Sequence, residues 1–272
     1  MKMDRIWAHL VLVLFVVLCF WLVVEVRGDM SGIGLPDWGR IKKGVGVSPL
    51  ADLGELAARL GSINTFDRRG DTVWMDDFED GIIKWDWAGG GTGATVASNT
   101  TRARNGAKSA VLTTGNAINN WAMIRHWMPP PVVGKLGYEL SFTKHDSMRG
   151  LEVYAYRYDG TNVIDMSVHV DVVNSRLQVM GAGATWVTVQ EDVALKASTY
   201  LFHTLKVVVD WENGTYARLL LDGLELDLSA YALQSTEDDS APHMRFQVFV
   251  YTTVASNISI YLDDVIITQN EP

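Results

Sequence analysis

From Thr72 onward the chain is broken into thirteen short β-type segments, each bounded by Gly, Asn or Asp. They fall near residues 72–78, 93–98, 107–113, 120–127, 136–144, 150–158, 162–171, 176–180, 185–190, 201–211, 215–222, 244–252 and 257–268. Segments this short cannot bury their apolar side alone, and turns about every 8–12 residues gather them into a sandwich or barrel. Two of them define faces. Leu151, Val153 and Ala155 alternate with Glu152, Tyr154 and Tyr156, and Ile258, Ile260 and Leu262 alternate with Ser259, Tyr261 and Asp263. Because the side-chain period of a strand is two, each set belongs to one face. Asp159-Gly160, Asn213-Gly214 and Asp222-Gly223 predict tight turns, since these residues tolerate positive φ.

The first part of the chain has a different pattern. Residues 6–26 are almost continuously apolar, with Lys2 and Arg5 ahead of them. As a helix the run is about 30 Å long, enough to cross a hydrocarbon core. Val24-Glu25-Val26 is a poor cleavage context, so the reading is a retained anchor, ahead of a cleaved signal or a helix buried in an assembly. A Gly-rich linker follows. Ser48 and Pro49 then open a short amphipathic helix, with Leu53, Leu56, Ala57 and Leu60 on one face and Gly61 as its stop. The expected organisation is an anchor or signal segment over 1–27, a linker with a short helix over 28–71, and a β-sandwich over 72–272. Cys19, the sole cysteine, lies in the apolar run, so the folded part contains no disulfide. A formal net charge of -9 argues against nucleic-acid binding, which needs a basic surface.

Several motifs carry resemblances. Asp77-Phe78-Glu79-Asp80-Gly81 followed by Trp85, then Gly106 to Leu112, Gly137 to Phe142 and Tyr261-Leu262-Asp263-Asp264-Val265, resembles the jelly-roll carbohydrate-binding modules. Phe202 to Asp210 with Tyr216 to Gly223 is similar to laminin-G and concanavalin-like sandwiches. Both imply an all-β fold of two antiparallel sheets, a jelly roll, here preceded by the hydrophobic and amphipathic helices. Upstream, Leu53 to Leu60 and Phe66 to Asp71 bear a faint similarity to structural proteins of tailed bacterial viruses.

The first and last strands of a jelly roll lie close together, so Asp77 and Glu79 converge with Asp263 and Asp264. The resemblance to the carbohydrate-binding modules implies a structural Ca²⁺ there, because calcium takes carboxylate and carbonyl oxygens. A solvated acidic turn is the alternative.

Catalytic signatures are sparse. There is no His-Glu-x-x-His and no Gly-x-Ser-x-Gly. Gly89 to Ala94 leads into a strand-like stretch, so it reads as a loop and not as a dinucleotide fingerprint. The concanavalin-like glucanases carry Glu-x-Asp-x-x-Glu; here Glu225-Leu226-Asp227 is followed by Ala230 where the second Glu belongs. The expectation is a chain that is not an enzyme.

Aromatic residues are the remaining signal. Most rings of this kind fill a core. Tyr154, Tyr156 and Tyr158 nevertheless line the polar side of one strand and, with Trp121, are the candidate glycan-stacking residues.

The sequence therefore reads as a surface-exposed or extracellular structural protein, membrane-anchored or part of a virion. Its sandwich would serve assembly, through self-association or neighbouring structural proteins, and residues 6–26 would contact a membrane or an assembly. A glycan-binding module for adhesion or host recognition is the alternative, and a glycosidase-like sandwich the third reading.

Overall fold

The computed structural model describes Asp67, Arg69–Pro131 and Val133–Pro272. The anchor, most of the linker, the short helix at 48–60 and most of the virus-like motifs lie outside these residues. Among the described residues there is no helix; sixteen strands carry the chain. In chain order they are β1 (Asp71–Asp76), β2 (Asp86–Gly89), β3 (Thr95–Asn99), β4 (Ser109–Thr113), β5 (Trp121–Met128), β6 (Lys135–Lys144), β7 (Met148–Tyr158) and β8 (Asn162–Asp171). There follow β9 (Arg176–Met180), β10 (Trp186–Gln190), β11 (Ser198–Asp210), β12 (Thr215–Leu221), β13 (Leu224–Asp227), β14 (Gln234–Glu237), β15 (His243–Thr252) and β16 (Ser259–Gln269).

All pairing is antiparallel, in two eight-stranded sheets. Sheet I runs β13-β12-β11-β6-β16-β4-β3, with β1 also on β16; sheet II runs β10-β9-β8-β7-β15-β5-β2, with β14 on β8. First and last strands are neighbours, Asp76 pairing with Val265. The thirteen expected segments all appear, and β2, β13 and β14 are additional. The Gly89–Ala94 stretch is the loop from β2 to β3, as read from the sequence. Asp159-Gly160 joins β7 to β8, with Gly160 at φ 93°. Asp222, at φ 49°, turns β12 into β13.

The inner faces interdigitate as the alternation requires. Leu140 and Phe142 of sheet I, and Leu151, Val153, Ala155, Phe246 and Val248 of sheet II, are fully buried. Tyr138 stacks on Phe246 across the sandwich, ring centroids 5.7 Å apart. Two buried polar tips are answered. Trp211 donates to the Tyr138 hydroxyl at 3.1 Å, and the Tyr216 hydroxyl of sheet I receives the Ser167 amide of sheet II at 3.0 Å. Aromatic rings contribute large burial, but their polar ends need partners inside. The Phe78-to-Trp85 motif also serves the core: Phe78 stacks on Trp85 at 5.6 Å, and the Trp85 indole donates to Asp76 at 2.7 Å.

The outer face of sheet I is closed by its own chain. Glu139, Ser141 and Thr143 of β6, Lys206 of β11 and Asp263 of β16 are all buried although they point away from the core. The segment after Asn99 lies over them. Arg104 donates to Ser141 at 2.6 Å and contacts Asp264 at 3.3 Å, while the Arg104 amide donates to Asp263 at 2.7 Å. Further along, Lys206 contacts Glu271 at 2.7 Å and Asp67 at 3.1 Å, and Arg218 reaches Glu271 and the Pro272 carbonyl. Burial, against the opposing pull of Lys206, pushes the Glu139 carboxyl up to about 8.

Candidate functional site

The outer face of sheet II is built differently, and its rows can be read from the register. One row crosses the sheet as Trp121 (β5), Tyr251 (β15), Gly150 (β7), Asp171 (β8) and Arg176 (β9). The next is Met123, Phe249, Glu152, His169, Gln178 and Thr188. The third holds Arg125, Gln247, Tyr154 and Ser167, and the fourth Trp127, Arg245, Tyr156 and Asp165. Apart from Met123 and Gly150, each residue is the polar or aromatic alternate of an inward-facing residue on its strand, so the same alternation that fills the core builds this surface.

Between the β7–β10 end of the sheet and the loops beside it lies an open cavity of about 460 Å³. Arg149, Glu152, His169, Arg176, Gln178 and Trp186 line it, with Asn119 and Asn174 at the rim. Gly150 keeps its floor open. A Cβ there would stand 2.4 Å from His169 Nε2 and 2.9 Å from the Val170 carbonyl, so a side chain would displace the histidine. Glu152 accepts from the Tyr154 hydroxyl at 2.5 Å and the Tyr251 hydroxyl at 2.9 Å. Burial, and then the Glu152 charge, raise both phenols, so each stays a protonated donor at neutral pH. Burial lowers His169, which holds it neutral, and its ring lies 5.4 Å from Trp186. Although burial works the other way, Asn174 and Arg176 hold Asp171 below the usual carboxylate range. The cavity thus offers neutral and charged donors, carboxylate acceptors and one aromatic ring.

The four residues singled out for glycan stacking all sit on this face. Tyr154 and Tyr156 stack at 5.9 Å, Tyr156 and Tyr158 at 6.5 Å, and Trp121 packs against Phe249 at 5.3 Å. They form a half-buried ladder more than a set of bare platforms, and Tyr158 is buried against His243 at 4.1 Å. The most exposed ring on the face is Trp127, 43% accessible. Sequence reasoning missed the cavity residues. The signal available for Glu152, His169 and Asp171 was their place opposite the apolar alternates Leu151, Val168 and Val170.

Asp77, Glu79, Asp263 and Asp264 come to one end of sheet I, but their oxygens are turned to protein donors. Glu79 accepts from the Ala107 and Lys108 amides at 2.6 and 2.8 Å, and Lys108 Nζ reaches the Glu79 carbonyl at 2.5 Å. Asp264 accepts from Asn105 at 2.7 Å, and Asp77 from the Glu79 amide at 3.2 Å. Among the described residues no group of three or more His, Cys, Asp or Glu is placed to share a metal ion. With an ammonium and a guanidinium already among them, these carboxylates as arranged do not fit Ca²⁺, which needs six to eight free oxygen ligands. Glu225 lies on β13, also in sheet I, paired with Arg69 at 2.8 Å and on the other sheet from the cavity.

No known family profile and no curated protein matches the sequence. The fold itself has solved relatives. An endo-β-1,4-glucuronan lyase from the fungus Trichoderma reesei superposes with a TM-score of 0.54 at 13% identity, covering 73% of this chain and 95% of the lyase. An alginate lyase from Chlorella virus gives 0.47 at 8% identity, over 73% and 99% of the two chains, and carbohydrate-binding modules of the β-sandwich superfamily give 0.42 at 15%, over 75% and 63%. Likeness at such identity is likeness of fold alone, and only the first superposes closely enough to carry it. It corrects the expectation that this chain is not an enzyme. The same sandwich serves as the body of a polysaccharide lyase, so the architecture is no argument against catalysis. Two of the motifs whose absence suggested inactivity, His-Glu-x-x-His and Gly-x-Ser-x-Gly, belong to other folds. The chain is a two-sheet antiparallel β-sandwich that shares its fold with that lyase.

Proposed function

We propose that this protein recognises a glycan on the outer face of sheet II, with the cavity between Arg149 and Trp186 as the primary contact. The observation that carries the reading is the cavity's composition. An aromatic ring beside Arg149, Glu152, His169, Arg176 and Gln178 matches a sugar, which offers an apolar ring face and a rim of hydroxyls. Residues 6–26 and 48–60, through which assembly would run, lie outside the described residues, whereas glycan recognition uses a surface that lies within them. Titration calorimetry of the full chain against neutral and acidic polysaccharides tests it. Saturable binding is expected, weakened about tenfold or more by Arg149→Ala and by Trp186→Ala, the scale of a lost charged hydrogen bond or ring contact. Binding that survives both substitutions unchanged would remove the cavity from the account.

A second reading, that the protein also cleaves the glycan it holds, is favoured by one feature. Glu152 and neutral His169 line the cavity, and the Tyr154 and Tyr251 hydroxyls that donate to Glu152 stand behind it, a cluster of proton donors and acceptors. Cleavage would appear as new chain ends on incubating the full chain with the polysaccharides it binds, and would be lost in His169→Ala.

A further inference from the structure

The fourth row of sheet II holds a cation that feels the Asp238 charge but has no carboxylate at ion-pair distance among the described residues. The Arg245 guanidinium lies 4.3 Å from the Tyr156 ring centroid, 5.2 Å from Trp127 and 5.6 Å from Tyr158. No carboxylate among the described residues forms an ion pair with it, and its buried Nε has no hydrogen-bond partner. Arg125 reaches the same Trp127 ring at 5.4 Å, with Asp86 3.5 Å from its Nε. Trp127 is fixed by donation to Asp86 at 2.9 Å and by His243 at 5.2 Å.

Aromatic faces hold a guanidinium by cation–π attraction without consuming the N–H donors on its edge. An arginine so placed is oriented, with the Asp238 charge acting on it but no ion pair among the described residues, in a chain whose net charge is -9. The cavity repeats the theme, since Arg149 donates to Asn119 at 2.9 Å but forms no ion pair with a carboxylate among the described residues. By contrast, Lys206 and Arg218 on sheet I both form ion pairs with Glu271, although Arg218 Nε, like Arg245 Nε, has no hydrogen-bond partner. Tyr156 and Glu152 are four residues apart on β7, so the Arg245 row lies about 14 Å along the strands from the Glu152 row. A monosaccharide cannot touch both. A chain of several sugars can.

We propose that Arg245, on its cage of Trp127, Tyr156 and Tyr158, is an anion-binding subsite that selects glycans carrying carboxylate or sulfate groups, spaced so that an extended chain joins it to the cavity. The inference rests on glycan recognition at that face and adds the ligand's charge and length. A guanidinium presents paired N–H donors to a carboxylate or sulfate, and a neutral hydroxymethyl group at the same place of the sugar cannot answer them equally.

Titration calorimetry of the full chain with three probes of equal length separates the outcomes: oligo-β-1,4-glucuronate, its neutral isostere cello-oligosaccharide, and sulfated cello-oligosaccharide. The expected result is tighter binding of one or both anionic probes, weakening with salt, and a loss of about tenfold or more on Arg245→Gln. Whichever anionic probe binds tighter identifies the group, and Arg245→Lys retains part of the affinity. Arg245→Gln should weaken the anionic probes several-fold more than the neutral one, and an unchanged melting temperature establishes that the variant is folded. Equal affinity for the neutral and anionic probes, or no effect of Arg245→Gln on a folded protein, overturns the subsite and leaves glycan recognition standing. No binding to any probe overturns both.

Discussion

The two outer faces of this sandwich arise from the same alternation and end in opposite states. On sheet I, Lys206, Glu271, Asp67 and Arg218 satisfy one another under the segment around Asp67 and the C-terminal residues, and Asp263 and Asp264 are held by the stretch from Arg104 to Asn105. On sheet II, Arg245 and Arg149 have aromatic and amide neighbours but no ion pair, and Trp127 is exposed. Internally paired buried charge serves the fold; oriented charge without an ion pair beside an exposed ring is what the proposed glycan site would use. Polar residues facing outward are therefore not equivalent. What separates the faces is whether the chain itself supplies their partners.

The contrast can be broken most forcefully at Lys206. Its replacement by Met would leave buried Glu271 with Arg218 as its remaining cation and Asp67 with Arg69 and Arg218, a loss toward the lower end of about 3–5 kcal/mol. Denaturant melts should register that loss, and the surviving folded fraction should bind glycan as before. A stable Lys206→Met protein with impaired binding would merge the two faces into one functional unit.

On the other sheet the expectation reverses. Arg149→Ala should cost less than about 1 kcal/mol of stability, as for exposed polar contacts, while binding falls about tenfold or more. Thermal melts and calorimetry on one preparation give both numbers. A large drop in melting temperature without a change in affinity would make Arg149 a structural residue.

A smaller effect lies in the pH response of sheet I. Burial opposes it, but Asp222, 2.7 Å from His203 Nδ1, and the Lys196 carbonyl raise the His203 imidazole. A histidine raised on folding stabilises fully below its unfolded value near 6.5 and loses that contribution as pH climbs through the folded one. The stability gap between wild type and Asp222→Asn should thus be wider at acid pH and narrow above neutrality. A gap that stays constant from pH 5.5 to 8.5 would show that the pair does not titrate.

The smallest expected effect is none. Because Glu79 and Asp264 are occupied by amide, asparagine and arginine donors, a chelator should leave the melting temperature unchanged. A fall in chelator, reversed by Ca²⁺, would reinstate calcium at Asp77, Glu79, Asp263 and Asp264 through its mass-action stabilisation.

Much of this architecture is legible in the sequence. Long strands such as β6, β7 and β11 alternate strongly because one side meets the core. The edge strands β2 (DWAG), β13 (LELD) and β14 (QSTE) escaped because four residues at a sheet margin bury too little to show a period. The Tyr154 stripe was visible because Leu151, Val153 and Ala155 had already claimed the inner side. The cavity was not. His169, Arg176 and Trp186 meet Glu152 only through the pairing of β7 with β8, β9 and β10, and Arg245 meets Tyr156 through β15, whose sequence lies far downstream. Alternation gives the face of each residue; only pairing order gives its neighbours. The opposite side of β16 shows the complementary limit. Asp263 and Asp264 read as open ligands because nothing local reveals that Arg104 and Asn105 fold over them.

Hydrogen-exchange mass spectrometry of the full chain, with and without saturating oligo-β-1,4-glucuronate, tests the division between the faces most directly. The account predicts slowed exchange confined to sheet II and its adjoining loops, in peptides spanning Met148–Tyr158, Asn162–Met180 and His243–Thr252, with β11, β12 and the stretch around Arg104 unchanged. Protection centred on β11, β12 or that stretch, with sheet II unaffected, would contradict it.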